Sequence, residues 1–77
     1  MYAKGELVRF TAEAIDRMEP VASRRFSGRT GVVSGYRLGA TDPIVDFEKD
    51  GRRPSVRLIS VRTRDLELAA LQENRDV

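Results

Sequence analysis

The sequence predicts a mainly β fold: five short strands closed into a small barrel, with one short helix inserted between the first and second strands. Three observations predict it. Five segments alternate apolar and polar residues over short spans at close spacing, the pattern of half-buried strands. A single capped helical stretch falls between the first two of them. The chain has 77 residues and no cysteine, so it is near the lower size for a core without covalent staples. Closing the strands on one another removes the exposed edges that so small a sheet would otherwise present.

Residues 5–10 (GELVRF) read as the first strand, with Val8 and Phe10 on one face and Leu7 and Arg9 on the other. Thr11 then stands as the N-cap of a short helix, TAEAIDRM, with Glu13 favourably placed in its first turn. Ala14, Ile15 and Met18 share a face of that helix at helical spacing, and Pro20 is expected to end it. VASRRF follows as a loop with Phe26 tucked inward. Residues 29–36 form the second strand, and the turn formers of Leu38–Pro43 make a connecting loop. Residues 44–48 (IVDFE) form the third strand, and Lys49-Asp50-Gly51 a tight hairpin. Residues 55–59 (SVRLI) are the fourth strand, Val61–Arg64 a single helical turn, and 65–68 the last strand. The predicted inward set is Val8, Phe10, Ile15, Val33, Val45, Phe47, Val56, Leu58, Leu66 and Leu68. Residues 1–69 thus make one domain with its helical insertion at about 11–19, and 70–77 a polar tail expected to be frayed.

The stretch SGRTGVVSGY places three glycines in and beside the second strand. Gly28 is read as turning the chain out of the preceding loop. Gly31 shares the inward phase with Val33 and lets a neighbour approach closely. Gly35, on the same face, lets the strand coil before Tyr36.

These residues carry a resemblance. Gly5, Glu6, Val8 and Phe10, then Gly28, Arg29, Thr30, Gly31, Val32 and Val33, then the valine- and acid-rich Val45–Glu48, resemble the KOW motif and the wider family of SH3-like barrels that contains it. VRTRDLEL is similar to the closing helical turn and last strand of such barrels, so the likeness spans roughly residues 4–69. It implies an all-β, five-stranded SH3-like barrel and, by its ribosomal and transcription-elongation members, contact with RNA. The stretch from Thr11 to Ser27 stands where that family has a loop of only a few residues. Compact, arginine-rich barrels of this kind also resemble bacterial or phage accessory proteins.

Composition narrows the chemistry. The chain has no histidine and no cysteine, which removes imidazole-dependent triads, thiolate nucleophiles and the commonest zinc ligands. Asp46, Glu48 and Asp50 approach the acidic alternation of a calcium loop, but the position for its bidentate glutamate is Arg57. No metal, cofactor or small-molecule substrate is expected. Paired carboxylates among Asp42, Asp46, Glu48 and Asp50 would need a desolvated cleft to act as acid and base, and a thin barrel rarely encloses one. The expected protein is therefore not an enzyme. No apolar run has the length of a signal peptide or membrane span, so a cytoplasmic protein without membrane contact is expected.

The net charge is only +2, yet basic and acidic blocks alternate. Five arginines fall between Arg17 and Arg37, and five between Arg52 and Arg64, while 38–51 and 65–77 are acidic. Twelve of the fourteen basic residues are arginine, which suits planar recognition of phosphates or equally reflects the coding bias of a GC-rich genome. The candidate surface for nucleic acid or a ribonucleoprotein comprises Arg24, Arg25, Arg29, Arg37, Arg52, Arg53 and Arg57, with Tyr36 to stack on a base. Arg9, Arg29, Arg37 and Arg57 are expected on outward strand faces, where the competing expectation is pairing with nearby acids. The alternative function is a protein-interaction adaptor, or a homodimer, using the outward aliphatics Leu7, Val32 and Ile59.

Overall fold

The computed structural model describes residues 2–69, and the expected polar tail 70–77 lies outside them. The chain runs β1 (Leu7–Phe10), α1 (Ala12–Arg17), α2 (Pro20–Phe26), β2 (Gly31–Tyr36), β3 (Pro43–Phe47), β4 (Val56–Leu58), a 3-10 turn (Thr63–Asp65) and β5 (Leu66–Leu68). The strands form one antiparallel sheet in the order β4-β3-β2-β1-β5. No ladder joins β4 to β5 among the described residues, so the closed barrel expected from the sequence is here an open five-stranded sheet.

Alternation sets which face is buried. Val8, Val33, Val45 and Phe47 are essentially inaccessible, and Phe26, Val61 and Leu66 complete the cluster. Phe10, Ile15, Met18, Val56 and Leu58 pack against it, as does Tyr2. Phe10, Phe26 and Phe47 meet as a triad with ring centroids 5.1–5.9 Å apart, two of the contacts edge-on and one stacked. Leu68, expected inside, is half exposed because it lies near the end of β5, an edge strand with no neighbour on its outer side. Val61, absent from the predicted inward set, joins the core, its amide held by the Pro43 carbonyl at 3.1 Å.

The helical insertion is larger than expected. Thr11 caps α1 as read, its hydroxyl accepting from the Ala14 amide at 3.1 Å. Pro20, however, does not lead into a loop. It occupies the first turn of a second helix, where its missing N–H costs nothing and its fixed φ is already helical. Two turns of helix are unstable alone, so α2 is held by what it buries: Phe26, at its last position, edge-on to Phe10 and Phe47.

Gly31 faces the Phe47 and Val45 side chains so closely that a Cβ there would stand 2.7 Å from Val45 Cγ1 and 2.8 Å from Phe47 Cε2. The close approach read from the sequence is thus made by core side chains of β3 filling the space a methyl would take. Gly35 has a φ of 143°, and the β2–β3 register shifts between Val33 and Gly35. A bulge of this kind bends a strand and increases its twist.

Candidate functional site

The end of α2 meets the β3–β4 hairpin, and this corner gathers the two arginine doublets. The hairpin turns tightly, with Asp50 and Arg53 exchanging both backbone hydrogen bonds at 2.9 Å around Gly51 and Arg52. Arg53 then reaches across to the helix end. Its Nη1 donates to the carbonyls of Ser27 at 2.9 Å and Arg24 at 3.2 Å, with a longer contact to Arg25, while Nη2 pairs with the Asp50 carboxylate. The last carbonyls of a helix have no intrahelical donor and carry its negative dipole end, so a cation there is doubly favoured.

Arg29 reaches the same corner from inside. It was expected on the outward face of β2, but it precedes the strand, which starts at Gly31, and is 2% exposed. Its Nη1 donates to the Arg25 carbonyl at 3.1 Å, and its Nη2 to the carbonyls of Glu48 at 2.8 Å and Pro54 at 2.6 Å. One guanidinium therefore ties the end of α2 to both arms of the hairpin. Its carbon lies 5.7 Å from the centre of the Phe47 ring, a cation–π contact made dry by burial. No carboxylate is bonded to it, and its Nε is buried without a partner among the described residues. Among the described residues the charge is met by backbone carbonyl dipoles and the face of the Phe47 ring.

Arg24, Arg25 and Arg52 are the exposed arginines of the corner. The corner as a whole brings together Arg24, Arg25, Arg29, Lys49, Arg52 and Arg53 against Glu48 and Asp50. It is strongly cationic.

The remaining candidates lie elsewhere. Arg57, on β4, is a fork-to-fork partner of Asp46 on β3, with Nε–Oδ1 at 2.7 Å and Nη2–Oδ2 at 2.9 Å. That bond holds the Asp46 carboxyl below the usual carboxylate range and raises Arg57, so this arginine is engaged in the cross-strand pairing weighed against a free basic surface. Arg9 pairs across strands with Glu67 of β5 through a single bond from Nε to Oε2 at 2.7 Å. Arg37 is exposed at the far end of β2 from the corner. Tyr36 is also at that end, and its hydroxyl donates to the Tyr2 carbonyl at 2.7 Å and accepts from the Tyr2 amide at 3.1 Å. Its role in the structure is to clasp the N-terminal segment.

Leu7 and Val32 are direct cross-strand partners on the outward face. The same row continues as Val32 opposite Asp46 and Asp46 opposite Arg57, so a salt bridge borders the aliphatic pair. Ile59, half exposed, follows the end of β4, with β3 between it and Val32. The three aliphatics are thus split by a charged pair.

The carboxylates weighed from the sequence are dispersed among arginines in the described residues. No group of three potential ligands occurs, Asp46 and Asp50 face arginines, and the groove along the hairpin that contains Asp46 and Glu48 is open to water. No described helix is long and apolar enough to cross a membrane.

Sequence reasoning missed the second helix and, with it, the convergence of the doublets. The available signal was Pro20 after an acidic residue and before a helix-compatible run. Compared with known proteins, the chain matches no family model, and no curated protein or solved structure matches it.

Proposed function

We propose that this chain is a small non-catalytic module that docks on nucleic acid or a ribonucleoprotein through the α2–hairpin corner, with Arg24, Arg25 and Arg52 as its contact residues. The observation that carries the reading is the convergence of two arginine doublets, 28 positions apart in sequence, on one exposed corner. Arg29 and Arg53 serve the surface from beneath, by holding helix and hairpin together. A guanidinium presented on a fixed element loses less freedom on meeting a phosphate than one on a mobile loop.

The fold we propose for it is an SH3-like, KOW-like barrel whose sheet curls toward closure. What supports this is the meander order, the bulge at Gly35, the 3-10 turn before β5, and the return of β5 onto β1.

The test is an NMR titration of the labelled chain with short mixed-sequence single strands and duplexes at low and moderate salt. Amide shifts are expected at the end of α2 and in the hairpin turn, and replacement of Arg24, Arg25 and Arg52 by glutamate should abolish them. If no resonance of the corner moves under any of these conditions, the proposal fails. If binding survives salt and is instead lost on Val32→Asp, the outward aliphatic face is the interface.

A further inference from the structure

We infer that the corner engages the phosphodiester backbone of a double helix and makes no base stacking; this rests on the docking function proposed above. The chain contains five aromatic rings, and each is already committed. Phe10, Phe26 and Phe47 pack on one another in the core. Tyr36 is bound through its hydroxyl to both backbone polar groups of Tyr2, and the Tyr2 hydroxyl donates to the Leu66 carbonyl at 3.0 Å. Both tyrosines are partly buried, and the pair sits at the end of β2 remote from the corner.

Proteins that hold single strands without sequence preference draw on stacking, worth about 1–3 kcal/mol per base. This corner has no ring to supply it. What it offers is charge: Arg24, Arg25 and Arg52 exposed on a helix end and a tight turn, with buried Arg29, bonded to carbonyls and to no carboxylate among the described residues, behind them. A surface that works by charge alone favours the polymer with the denser phosphate array, and a duplex carries one charge per ~1.7 Å of axis. DNA and RNA duplexes are two sources of that chemistry.

The experiment is fluorescence anisotropy of the full chain with labelled duplex DNA, duplex RNA of the same sequence, and an oligo-dT single strand of equal length, from 50 to 200 mM salt. At least one duplex should bind more tightly than oligo-dT, and the duplex that does so names the source. With three arginines in contact, the slope of log affinity on log salt should be about −2.7, a loss of about 40-fold over that range. Replacing Arg24, Arg25 and Arg52 by glutamine should remove most duplex binding, while the Tyr36 ring resonances stay in place throughout. Oligo-dT binding at least as tight as both duplexes, or a shift of the Tyr36 ring on adding it, would overturn the inference and leave the docking function standing. Absence of binding to all three polymers would overturn both.

Discussion

Within one corner of this small sheet, arginines only a few residues apart do opposite things. Arg29 is wholly buried and Arg53 is folded back over the helix end, and between them they bond the carbonyls of Arg24, Arg25, Ser27, Glu48 and Pro54. Arg24, Arg25 and Arg52 are exposed. What separates the two groups is access to orphan carbonyls. A helix end and a tight hairpin leave acceptors without donors, and an arginine near enough to supply five N–H groups is absorbed into the structure. Those left over remain available to a partner.

The contrast is open to direct attack, most severely at Arg29. Arg29→Met keeps much of the stem but strips three carbonyls, in partly buried hydrogen bonds, of their donor, so we expect a loss of about 2–4 kcal/mol, from unsatisfied groups at about 1–3 kcal/mol each and partial relaxation. Urea unfolding measures it, and a loss below ~1 kcal/mol would show that water replaces the guanidinium freely. Arg53→Gln should cost less, about 0.5–1.5 kcal/mol, because its site is partly solvated. Arg52→Gln, one residue away, should stay within ~0.5 kcal/mol of the parent. Equal effects at Arg52 and Arg53 would erase the distinction between structural and available arginines.

The smallest effect sharpens the comparison from outside the corner. Burial, with help from Glu6, Glu67 and Tyr36, raises the Tyr2 hydroxyl above the ordinary tyrosine value. A raised folded-state pKa means that its contribution is complete below about pH 10, the unfolded value, and is lost as pH rises through the folded value. Thermal unfolding between pH 8 and 11 should show stability declining at the alkaline end, and Tyr2→Phe should flatten that decline. Asp46 works in the opposite sense. Its depressed pKa contributes above about pH 4 and is lost as acid protonates it, with little effect because the pair with Arg57 is exposed.

Much of the fold was legible because it is local. The alternation of Val45, Asp46 and Phe47, and of Val56, Arg57 and Leu58, assigns each side chain to a face without knowledge of the partner strand. Thr11 announces α1 in the same way, through its own hydroxyl and the next turn. Arg29 was misread for a definite reason. Its charge was given the outward face, although the period-two phase shared by Gly31 and Val33, carried back through Thr30, puts position 29 inward, where it is found. The candidate site was half legible: each doublet was visible as basic, whereas their meeting depended on α2.

The sequence by itself determined which residues are apolar at which period, where the turns fall, that this chain has no histidine or cysteine, and that its charge comes in blocks. Tertiary structure alone decided that Pro20 starts a helix, that Phe26 anchors it on Phe10 and Phe47, and that the helix end faces the hairpin. It therefore also decided which arginines are consumed. Periodicity is set by neighbours along the chain, but the demand for a donor is set by carbonyls that folding brings near: those of Glu48 and Pro54 lie 19 and 25 residues from Arg29.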